Sequence, residues 1–120
     1  MQYFRLKPST IRDAGVGVFA TAAIPKGTYL RELFDPGETI RRLTKAEFAA
    51  LPSPAAVREP FAVWCEEDAC HLPTDPNRMS IGWYMNHSDR PNLAHDEQYD
   101  YFTLRDIAAG EELFIDYEAL

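Results

Sequence analysis

Apolar and polar positions along the first third of the chain form short runs broken by turn residues. The stretch "YFRLKPS", Tyr3 to Ser9, opens as a strand, and Gly15 and Gly17 punctuate the apolar run "DAGVGVFAT". In "AAIPKGTYLRELF" a Pro25-Lys26-Gly27 turn precedes an apolar strand, because proline pre-sets its own φ and glycine accepts φ > 0. "DPGE", Asp35 to Glu38, ends that strand. The pattern then changes period. "LTKAEFAAL" places Thr44 as N-cap with Glu47 three residues on, a capping box, and Leu43 and Phe48 stand at the two positions of a hydrophobic staple. Pro52 and Pro54 stop the helix. The region from Pro54 to Pro76 has no clean period, with "FAVWCEE" a candidate strand, so Thr39 to Pro76 reads as an irregular insert carrying one helix. Strands return in "YDYFTLRDI", and "AAGEELFIDYEAL" gives a turn, a strand and an end. "IPKGTYL" and "IAAGEEL" share the frame I-x-x-G-x-x-L: two turn-then-strand units of equal length.

At 120 residues the chain is expected to be one domain, long enough for a hydrophobic core. No apolar run approaches the roughly 20 residues of a membrane span, and the N-terminus lacks a secretory pattern. A soluble intracellular protein is expected. The net charge of −7 argues against direct DNA or RNA binding and favours encounter with a basic partner. Cys65 and Cys70, with His71, fall short of the four ligands of a structural zinc site, so no metal is expected.

One stretch resists a purely structural reading. "YMNHSDRPNL" sets Asn86 and His87 directly behind the apolar run Ile81 to Met85. Turn chemistry explains Ser88, Asp89, Pro91 and Asn92, but not these two polar residues at the mouth of a buried segment. Taken with "GVGVFA" near the N-terminus and "EELFIDY" near the C-terminus, the set resembles the SET-domain protein lysine methyltransferases. Gly15 to Ala20 look like that family's first motif and Ile24 to Gly27 like the turn after it. Asn86-His87-Ser88 with Pro91-Asn92 matches its N-H-S-x-x-P-N signature, and Gly110-Glu111-Glu112-Leu113 with Asp116-Tyr117 its terminal G-E-E-L-x-x-D-Y.

The resemblance implies a mainly β, β-clip-like fold of small curved sheets, with a knot-like C-terminal crossing under the N-H-S stretch. It implies S-adenosylmethionine as cofactor, held by Gly15, Val16, Gly17, Tyr84, Asn86 and His87, and Tyr117 as the catalytic residue. The walls of a lysine channel would be Tyr84, Phe114, Ile115, Trp83 and Phe102, and the substrate a basic protein such as a histone. Two positions depart from the family: Trp83-Tyr84 replaces the frequent Arg-Phe, and Ile115 stands two places before the terminal tyrosine. The match is to a minimal SET domain of the viral or bacterial type, cytoplasmic in a bacterium or directed to a host nucleus from a virus. With little chain after Tyr117, something must cover the site, either the insert or a second copy meeting it through Phe61, Val63 and Trp64. A homodimer is the expectation. A non-catalytic peptide-binding module on the same scaffold remains the alternative.

Overall fold

The computed structural model describes residues 1–37, 40–52, 63–66, 68–73, 75 and 77–119. The chain is mainly β and divides into two compact units, Met1–Pro36 with Ser80–Asp116, and Gly37–Met79 with Tyr117–Leu120.

In the first unit, strands β1 (Phe4–Pro8), β2 (Val16–Ala20), β6 (Asn86–His87) and β9 (Glu112–Ile115) form a four-stranded sheet in the order β1-β2-β9-β6. The β1–β2 pair is antiparallel, and the backbone N–H of Ser9 donates to the Gly15 carbonyl at 2.8 Å to close its loop. β9 runs antiparallel to β2 and parallel to β6. β7 (Leu93–His95) and β8 (Tyr101–Thr103) make a separate two-stranded sheet. Between them they bury Val18, Phe19, Leu93, Tyr101, Leu113 and Ile115, together with Ile24, Leu30, Leu33, Met85 and Ile107.

The repeated frame I-x-x-G-x-x-L is a physical pair. Ile24 and Ile107 form an isolated antiparallel bridge, exchanging N–H···O bonds of 2.9 and 2.8 Å. Three residues after each, Gly27 and Gly110 take φ of +79° and +83°, the left-handed conformation that a side chain would strain. Each unit ends on a buried leucine, Leu30 or Leu113. The continuous strand expected after Gly27 is not what forms. Tyr29 makes a single bridge to Phe102, and Arg31–Leu33 is a 3-10 turn that buries Leu33 at three-residue spacing from Leu30. The spacing of three fits a 3-10 turn and not the period of two that a strand needs.

In the second unit, β3 (Ile40–Thr44), β5 (Ala69–Pro73) and β4 (Val63–Glu66) form a three-stranded antiparallel sheet in the order β3-β5-β4. The region read as irregular therefore holds a sheet. The helix α1 (Lys45–Ala49) follows β3 without a linker. Its capping box is present: Thr44 Oγ1 accepts from the Glu47 N–H, and the Glu47 carboxylate accepts from the Thr44 N–H. Leu43 and Phe48 are buried in one cluster with Cys70 and Leu72, the contact that a hydrophobic staple requires. Glu38, Thr39, Pro54, Phe61 and Pro76 lie outside the described residues, as do the side chains of Val63, Trp64 and Cys65. Among the described residues no helix is long and apolar enough to cross a membrane.

Candidate active site

Sheet order brings the motifs together. The residues Asn86 and His87 are β6, the segment Glu112–Ile115 is β9, and the two strands pair in parallel with Asn86 opposite Phe114 and His87 opposite Ile115. Ser88 N–H donates to the Ile115 carbonyl at 3.0 Å and extends the pairing by one residue. On the other side of β9, Val18 stands opposite Leu113 and Phe19 opposite Glu112.

The polar cluster "NHSDRPN" is a clasp on β9. Asn92 is 1% exposed, and its Oδ1 accepts from the Phe114 N–H at 2.8 Å while its Nδ2 donates to the Glu112 carbonyl at 2.8 Å. One carboxamide thus supplies a donor and an acceptor to β9, as a neighbouring strand would. The same Nδ2 also donates to Glu111 Oε2 at 3.1 Å, and Glu111 in turn meets Arg105 at 2.6 Å. The hydrogen bond from Arg105 holds the Glu111 carboxyl below the usual carboxylate range, helped by the Ala108 N–H and Asn92 and opposed by burial.

Glu112 is the second buried polar group, at 3% exposure. The loop after β1 wraps its carboxylate: Ser9 Oγ donates to Oε2 at 2.8 Å, and the Thr10 N–H and Oγ1 both donate to Oε1 at 2.7 Å. Asn86 Nδ2 donates to Oε2 at 3.2 Å and to the Val16 carbonyl at 2.9 Å. Burial pushes the Glu112 pKa up, but the hydrogen bonds from Thr10, Ser9 and Asn86 outweigh it and hold the carboxyl below its ordinary range. Gly17 is part of this arrangement. A Cβ there would run into the Glu112 carboxylate, with Cδ at 2.8 Å, and crowd Asn86 Nδ2 at 3.2 Å. The close approach that demands glycine at this position comes from the chain itself. Gly15 carries φ of +72° with open space around it.

The remaining expected site residues fall in four places. Tyr84 and Trp83 lie on the 3-10 turn Ile81–Tyr84 leading into β6; Tyr84 is exposed, and Trp83 packs edge-on against Phe34 at 6.2 Å. Phe114 and Ile115 are on β9 itself, Ile115 buried and Phe114 half-buried. Phe102 is on β8, stacked at a tilt on Tyr29 at 5.4 Å. His87 Nδ1 stands 3.6 Å from Asp116 Oδ1. Tyr117 belongs to the second unit, where it begins the turn Tyr117–Ala119 packed against β4. Burial raises its pKa above the ordinary tyrosine value, so the phenol stays protonated across the physiological range.

Sequence reasoning gave Glu112 no role beyond the motif match, and Asn92 none beyond turn chemistry and the motif match. The available signal was a charged residue opening the apolar run "ELFI", and an asparagine followed directly by a buried leucine. Neither says which distant group is its partner.

The SET-domain family model matches residues 15–118. None of the curated proteins compared with the chain matches it. Solved structures do. A humanized mutant of the Chaetomium thermophilum Polycomb Repressive Complex 2, bound to an inhibitor, is similar at TM-score 0.66 and 22% identity over 97% of this chain. Apo ctPRC2 carrying mutations in Ezh2 is similar at TM-score 0.67 and 21% identity, again over 97%. The chain spans 15% of the length of each.

Proposed function

Because the chain belongs to the SET-domain family, we propose that it transfers methyl groups from S-adenosylmethionine to lysine side chains of a basic protein. The observation that carries this reading is the pairing of β6 and β9, which sets the two signature motifs side by side with Asn86 anchored between β2 and β9.

The residues suit the cofactor. Its amino-acid end carries an ammonium group that needs acceptors. Among the described residues, none donates to Asn86 Oδ1, and the neighbouring Val16 is exposed. Asn86, His87, Tyr84 and the Gly15–Gly17 backbone would hold the cofactor. When bound, S-adenosylmethionine supplies a methyl on a sulfonium sulfur for in-line displacement by an amine.

The substrate lysine must be neutral to attack. With an ordinary pKa near 10.4, roughly one lysine in a few thousand is neutral at pH 7, a deficit of about 4–5 kcal/mol. Apolar and aromatic surroundings lower that cost by disfavouring the ammonium form, the role assigned to Tyr84, Trp83, Phe114, Ile115 and Phe102. Tyr117 is assigned the positioning of the reacting groups. Its protonated hydroxyl is suited to holding the amine or methyl donor at about 3–3.5 Å, in near-attack geometry. The net charge of −7 favours basic substrates, with histones or histone-like proteins as the class to test first.

The test is incorporation of labelled methyl groups into a histone mixture, with Tyr117→Phe alongside. The variant is expected to fold and bind cofactor while losing about a hundredfold or more in rate, the scale of one positioned proton-bearing group. Activity within a few-fold of the parent removes Tyr117 from the reaction. Cofactor binding without any methylation favours the peptide-binding module instead.

A further inference from the structure

The carboxamide of Asn86 is fixed from behind. Its Nδ2 donates both to the Val16 carbonyl and to Glu112 Oε2. Both partners can only accept, so chemistry assigns nitrogen to the inner side, leaving Oδ1 as the other end of the group. The Glu112 carboxylate takes further bonds from Ser9 Oγ, Thr10 Oγ1 and the Thr10 N–H. Among the described residues no Lys, Arg or His lies within ion-pair distance of it. Its negative charge is thus balanced by neutral donors alone. A charged acceptor bonded to an amide N–H polarises that amide and makes its oxygen a stronger acceptor.

We propose that Glu112 is a positioning residue of the cofactor site: it locks and polarises the Asn86 carboxamide so that Oδ1 selects a ligand carrying a cationic amine. This rests on the reading that S-adenosylmethionine is the cofactor, and extends it to a residue with which the ligand need not be in contact. It also gives the second glycine of "GVG" a purpose, since only a residue without Cβ admits the Glu112–Asn86 pair beside β2.

Two ligands separate this role from a general structural one: S-adenosylhomocysteine, which keeps the amine, and its desamino analogue, which lacks it. By calorimetry, Glu112→Gln is expected to weaken S-adenosylhomocysteine about tenfold, the difference between a charged and a neutral hydrogen-bond partner. The desamino analogue is expected to change by less than about twofold, because the amine contact is the only one altered. In an Asn86→Ala background the Glu112 substitution is expected to add no further loss for either ligand, as residues acting through one another are non-additive. Equal weakening of both ligands, or additive losses, overturns the proposal. A second measurement does not depend on any variant folding. In the unsubstituted, ligand-free protein the Asn86 side-chain amide protons are expected to exchange slowly by NMR; exchange as fast as in an exposed asparagine overturns the clamp. Failure of the unsubstituted protein to bind either ligand overturns the cofactor assignment itself, an outcome distinct from a failed clamp.

Discussion

The two units of the molecule are held together by different means. The small sheet β3-β5-β4 and its helix close over an apolar cluster of Leu43, Phe48, Cys70 and Leu72, and the helix start is secured within four residues by Thr44 and Glu47. The β2-β9-β6 crossing has apolar residues too, but its central strand is held through two buried polar side chains: Asn92, which grips its backbone, and its own Glu112, which Ser9, Thr10 and Asn86 bind. Apolar packing tolerates exchange of one shape for another. A buried amide with three partners does not, because every group it abandons is left desolvated and unpaired. Precision of placement is therefore greatest where the signature motifs lie.

The sharpest way to break the contrast is Asn92→Ala. It strands the Phe114 N–H and the Glu112 carbonyl in a buried setting. At about 1–3 kcal/mol for each orphaned group, a loss of about 4 kcal/mol is expected in chemical denaturation. Leu72→Ala should cost somewhat less, about 3 kcal/mol, as a cavity in a small apolar cluster that can partly collapse. If the leucine substitution proves far more damaging than the asparagine one, the polar clasp is not what holds β9.

The smallest effect concerns acid. Glu111 and Glu112 have folded-state pKa values below their unfolded values. Their contribution is fully present above the ordinary carboxylate range and is lost as pH falls through the lowered values. Thermal stability is expected to drop below about pH 4.5. The Glu112→Gln variant should show a shallower drop, and an unchanged slope would mean that Glu112 does not contribute to it.

Legibility in the sequence followed the distance between partners. The capping box and staple were readable because Thr44, Glu47, Leu43 and Phe48 act on one another within a single turn. The motif residues of β6 and β9 were readable as a set through family resemblance, while their parallel pairing was not in any local pattern. β3 escaped notice because Arg41 and Arg42 interrupt its alternation and its partner β5 begins some distance further on. Glu112 escaped for the same reason on a larger scale. Its ligands Ser9 and Thr10 precede it by 103 and 102 residues.

The position of β9 also constrains the order of folding. It lies between β2 and β6, yet both neighbours are synthesised before it. Until Glu112–Ile115 has left the ribosome, β2 and β6 have no strand to join them, and Asn92 has no backbone to clasp. Assembly of this sheet is a late, non-local event, of the kind that makes folding slow relative to chains built from neighbouring contacts. During that interval the edge of β2 is open to other strands, so a nascent chain benefits most from protection before Glu112–Ile115 is available to pair.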